Sequence, residues 1–288
     1  MSRIYSIDFL KLFFAYLIAY SHFGINLPGA NIAVVFFFII SGFFLARKYY
    51  AKSHPFSEKK VYNETRYTVD HIKSLYPHYI FSLTLMFGYY ITKNIYYIFI
   101  QSDVAKNFSD LVMNLYELIP ELFLLQNIGF FNGGMNYPLW QVCALLICGY
   151  FIYALLCHNE RFSTKIVFPV SIILIQVYLM GVSDPFGTVG PIYIPLIRAF
   201  SSMSIGVLTY KFTRSIYYKV IITRYSLVLN ISSVIAFFAI FYFGPHNNIS
   251  LITSVVIILT LVNRESWINL LLNKKNLKTL VIFHTQYI

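Results

Sequence analysis

A succession of apolar stretches, each close to the length of a membrane span, leaves this chain few ways to fold. A helix of about 20 residues crosses a hydrocarbon core about 30 Å thick, and there every backbone polar group must be paired internally. Such stretches run over 4–23, 30–46, 75–100, 138–157, 166–182, 189–210, 225–243 and 246–262; a ninth begins at 279 and stops at 288. They predict an all-α fold, a polytopic transmembrane helical bundle over 1–288 with about eight full spans plus an incomplete C-terminal one. Composition agrees: 58% hydrophobic and 11% charged residues are too apolar a mixture for an ordinary soluble domain. No small-residue cleavage pattern follows the first stretch, so it is expected to stay as an anchor.

The net charge of +11 invites a nucleic-acid reading, which the placement of the charges argues against. With the N-terminus inside, segments 46–74, 158–165, 211–224 and 264–278 fall on the same side. Together with Arg3 they hold all of the 22 Lys and Arg except Lys11, Lys93, Lys106 and Arg198. The opposite side carries Asp103, Asp110, Glu117, Glu121 and Asp184. That asymmetry is the positive-inside pattern. It predicts an integral protein of the cytoplasmic (inner) cell membrane with a cytoplasmic N-terminus and no nucleic-acid partner. Its basic inner face suits anionic membrane lipids or a phosphorylated substrate. The pattern requires that 111–131 does not cross. Pro120, Glu117, Glu121 and the following "NGGMNYP" fit a simple span poorly, so 101–137 is expected to be an outer loop with an interfacial or re-entrant segment. Cys143, Cys148 and Cys157 read as buried small hydrophobes. No internal repeat or linker divides the chain.

The first stretch, "DFLKLFFAYLIAYSH", carries three polar groups in hydrocarbon-like surroundings. Lys11 and His22 are 11 positions apart, three turns plus about 20°, so they share a helix face with a rise of about 16 Å between them. Asp8 lies one turn before Lys11, close enough to pair with it. Singly, Lys11 reads equally as a side chain snorkelling to headgroups, and His22 as a neutral histidine bonded within the bundle. Both on one stripe point to a cavity-facing site, because a lipid-facing stripe would bear the desolvation cost twice.

"IDFLKLFFAYLIAYSHF" followed by "VVFFFIISGFFLARKYY" resembles the opening of the acyltransferase-3 family of integral membrane acyltransferases, the O-acetyltransferase type. Its first helix carries Asp-x-x-Arg and, further on, a histidine; its second ends in FF-x-x-SGF. Asp8, His22 and "FFIISGFFL" match, while Lys11 replaces the usual Arg, keeping the charge and losing the planar fork. "HIKSLYPHY" is similar to a basic, Pro-x-Tyr segment leading into the third span, with Lys73, Pro77 and Tyr79 in place. "NYPLWQVCALLICGYFIY" resembles the Trp-containing span, and "IRAFSSMSIGVLTY" a later one, with Arg198 and Gly206. Where many members have WS-x-x-x-E, this chain has Gln141 and Leu145, so no glutamate takes a role there. The similarity covers nearly the whole chain. Members usually complete a final span with an SY-x-x-YL-x-H pattern that is not found here, which implies a shortened protein.

The resemblance implies transfer of an acyl group, usually acetyl, from cytoplasmic acetyl-CoA as co-substrate to a hydroxyl of a cell-surface or lipid-linked glycan, with no bound cofactor or metal. His22 is then the candidate catalytic group, as general base or as transient acyl carrier. Lys11, supported by Asp8, would hold an anionic part of the acyl-CoA or stabilise developing negative charge. Arg47, Lys48 and Lys73 are further candidates for CoA phosphates, or else ordinary topology charges. Arg198, deep in an apolar segment with no acidic neighbour in sequence, would orient the acceptor or compensate charge. Trp140, beside the outer loop, is the candidate acceptor platform among aromatics that mostly serve lipid contact and packing. A transporter or lipid-linked sugar flippase, in which Lys, His and Arg bind ions and substrate, and a polysaccharide polymerase are the competing classes.

Overall fold

The computed structural model describes residues 4–22, 30–52, 63–101, 104–125, 139–182, 187–189, 192–243 and 247–263. The expected incomplete span at 279–288, the "NGGMNYP" segment and the basic segment 264–278 lie outside them. The described chain is helical: α1 Tyr5–His22, α2 Ala30–Lys52, α3 Glu64–Gln101, α4 Val104–Leu122, α5 Trp140–Phe162, α6 Phe168–Met180, α7 Ile194–Thr213, α8 Ile216–Phe243 and α9 Asn247–Val262. A π-helical turn, Ser163–Val167, joins α5 to α6. A two-rung antiparallel hairpin, β1 Thr188–Val189 and β2 Ile192–Tyr193, precedes α7.

Among the described residues, three helical stretches are long and apolar enough to cross a membrane: Ile32–Ala51, Trp140–Met180 and Ile216–Phe238. Eight full spans are more than these helices support. At 16 residues α9 rises only about 24 Å, and α3 is diluted by His78, Lys93 and Asn94 along its 38 residues. The apolar stretch expected from 189 begins instead as the hairpin, and its helix starts at Ile194. Trp140–Met180, at 41 residues, would rise about 62 Å if straight. It is broken at Asn159, whose φ of −155° and ψ of 92° are not helical. The Asn159 carboxamide oxygen accepts from Phe162 N–H at 3.0 Å, capping the next turn, and Ser163 Oγ donates to the Leu155 carbonyl at 2.7 Å. Both sides of the break thus have side-chain partners for backbone groups. A second break falls at Tyr225 in α8.

The chain divides into two compact units, which share α5 and α7. The first comprises 1–63, 151–182 and 198–288. Its core joins α1, α2 and α9 through Ile7, Phe14, Phe36, Ile39, Ile257 and Ile258. Gly42 of α2 and Gly206 of α7 bring those two backbones into contact. A Cβ at Gly42 would lie 2.0 Å from the Met203 carbonyl oxygen, and one at Gly206 2.0 Å from that of Ile39. Without a strong hydrophobic drive between helices in lipid, such close approach supplies the dispersion contacts that hold them. Across α8 and α9, Tyr218 donates to Leu259 O at 2.8 Å and Thr260 to Leu229 O at 3.2 Å.

The second unit comprises 64–150 and 183–197. Here α4 ends in a Schellman motif: Leu125 N–H donates to Pro120 O at 2.8 Å, Leu124 N–H to Glu121 O at 3.0 Å, and Leu124 takes φ 56°. From α3, Tyr79 adds a bond to Glu121 O at 2.7 Å and Tyr76 one to Leu122 O at 3.0 Å. Tyr79 and Leu83 form the apolar contact beneath, with Leu118 and Leu124 against them. The other face of α4 exposes Phe108, Val112, Tyr116, Ile119 and Phe123. Cys143 and Cys148 are buried, and Cys148 Sγ donates to Leu196 O at 3.3 Å. Cys157 is exposed, against the expectation that all three would be buried, because it faces out of α5 two residues before the break.

Candidate functional site

The first unit gathers three of the polar features that the sequence singles out. On α1, Lys11 Nζ stands 4.5 Å from the centroid of the Phe44 ring, and Arg47 Cζ stands 5.8 Å from the same ring. Phe44 belongs to the "SGFF" segment of α2, so one aromatic ring links cations from two helices. Asp8 and Lys48 are half-buried nearby in sequence on the same two helices. His22 closes α1, on the same helix as Lys11; its imidazole lies outside the described residues. Among the described residues no group of His, Cys, Asp and Glu is placed to hold a metal.

Arg198 occupies the second turn of α7, about 6 Å from the helix start. It lines a small cavity with Ser202 of α7, Gln176 and Leu179 of α6, Val35 of α2 and Leu251 of α9. Gln176 Nε2 donates to Ser201 Oγ at 2.8 Å. The buried Ser204 hydroxyl of α7 has no partner among the described residues, while Thr209 bonds back to the Ile205 carbonyl one turn earlier at 2.8 Å. Ser202 does not: at 1% exposure, its Oγ has no partner among the described residues.

A third assembly went unseen in the sequence. Glu160, just past the Asn159 break, accepts from Lys211 Nζ at 2.6 Å and from Tyr50 Oη at 2.5 Å. Lys211 also donates to Thr164 Oγ1 at 2.5 Å. Tyr50 stacks on Tyr210, and Arg214 Cζ lies 5.0 Å from the Tyr50 ring. Beside it Tyr49 donates to Leu156 O at 2.9 Å. Residues 158–165 sit between the two apolar halves of the broken stretch, outside either. Burial pushes the Glu160 carboxyl up, but the bonds from Lys211 and Tyr50 outweigh it and hold the group below the usual carboxylate range. The one available signal was Glu160 itself, an acid in a short basic connection. The segments joined, at 50, 160 and 211, are ones that the charge pattern assigns to a single side of the membrane.

Lys73 and Trp140 belong to the second unit. Lys73 is exposed on α3. Trp140 opens α5 and is 6% exposed, its ring within the packing of that unit. No family model, curated protein or solved structure matches the chain.

Proposed function

We propose that the protein is a membrane O-acyltransferase that moves an acyl group, acetyl in the simplest case, from cytoplasmic acyl-CoA to a hydroxyl of a cell-surface or lipid-linked glycan. The observation that carries the reading is convergence. The segments that resemble the acyltransferase-3 family were chosen by sequence alone, and three of them meet in one unit: Lys11 of α1 against Phe44 of the "SGFF" segment, and Gly42 of that segment against α7 at Met203, one turn before Gly206. A cytoplasmic N-terminus belongs to this reading. In it His22 removes the acceptor proton, Lys11 and Arg47 attract the anionic donor, and Asp8 steadies Lys11.

Radiolabelled acetyl-CoA offered to the purified full chain with membrane glycans tests it. His22→Ala should lower transfer by roughly 10²–10⁴-fold, the usual share of a general base, while membrane insertion is kept. Lys11→Ala should weaken donor use and Lys11→Arg should retain it. Neither transfer nor hydrolysis in the wild-type protein would sink the proposal and favour a carrier.

A further inference from the structure

We infer that the cavity between α2, α6, α7 and α9 is a binding site for one small inorganic anion of halide size, held by Arg198 with Ser202 and Gln176. Three observations lead there. Arg198 is half-buried, and among the described residues neither an acidic side chain nor any hydrogen-bond partner reaches it. A guanidinium in apolar surroundings is costly without a counter-charge, and Val35, Leu179 and Leu251 supply none. Ser202 lines the same cavity with a hydroxyl that is buried and unpartnered, so a donor stands ready beside the cation. Gln176 spends one amide hydrogen on Ser201 and keeps a second, giving three donor groups around one space.

The charge of the lining selects the ligand. The space is small and partly open, and its enclosed part holds about one water-sized group. Water would fill it but would leave the charge uncompensated. A monatomic anion does both, accepting from the guanidinium, the hydroxyl and the amide together. This inference concerns the anion alone and holds whether or not the protein transfers acyl groups.

The test is a thermal unfolding titration of the detergent-solubilised full chain, with sodium chloride replacing sodium gluconate at constant ionic strength. Saturable chloride stabilisation of about 2–4 °C is expected, with bromide acting likewise. Arg198→Gln should abolish the difference between the salts. Ser202→Ala, a smaller change, should raise the chloride concentration for half-maximal effect several-fold, and it carries the test if the arginine variant does not fold. Equal melting in chloride and gluconate, an unchanged half-maximal concentration in Ser202→Ala, or a matching saturable response to acetate would each overturn the assignment.

Discussion

Glu160 holds three segments of chain through one carboxylate. Its side chain is 25% exposed and that of Lys211 38%, so solvent screens the pair. A double-mutant cycle with Glu160→Gln and Lys211→Met should give a coupling of about 0.2–1 kcal/mol in unfolding assays. The pH dependence has a definite sign. Because the folded carboxyl titrates below its ordinary value of 4.5, its contribution is complete above that value and fades as pH falls through the folded one. Wild-type protein should therefore lose melting temperature in acid more steeply than Glu160→Gln. Parallel acid profiles would refute this. Arg198 was legible in the sequence because a full charge among apolar residues stands out. Gln176 and Ser202 were not, since uncharged polar residues are ordinary in membrane helices and only the fold shows which of them lack partners. Glu160 and Lys211 are 51 positions apart and look like separate topology charges until the helix ends meet.

Between elements, the tightest contact is that of α2 with α7. At Gly42 and Gly206 the obstructing atoms are backbone, which cannot swing aside. Gly206→Ala should cost at least the roughly 1–3 kcal/mol of an overpacked core, read as a lowered melting temperature or lost yield of folded protein. A wild-type melting temperature would mean the helices are farther apart than described. Tyr79→Phe should cost about 1 kcal/mol by removing a bond to the end of α4, measured in the same way. The breaks at Asn159 and Tyr225 were close to legible, since the apolar stretches end at 157 and resume at 225. The hairpin was not: Val189, Ile192 and Tyr193 suit a strand and a membrane helix equally, and hydropathy cannot separate the two. The first turns of α3 were missed for the converse reason, because a helix can continue through polar residues where an apolar window has ended.

At the scale of the molecule, the Glu160–Lys211 bond joins two connections, and the charge pattern names their side. Cysteines placed at Arg161 and Lys219, with Cys157 replaced, should both react with a membrane-impermeant maleimide from the cytoplasmic side only. Reaction from opposite sides would contradict the bond itself, and reaction of both from outside would invert the topology. The glycine contact also bears on motion. With no clearance between the two backbones, α7 can neither slide by a residue along α2 nor roll about its own axis without driving a side chain into a carbonyl. Whatever cycle the protein runs through must swing about other points, and the broken backbone at Tyr225 offers one. Hydrogen exchange should accordingly find the amides of 39–43 and 203–207 slow in every state, with or without acyl-CoA; faster exchange there on adding it would show that the bearing lies at the glycines after all.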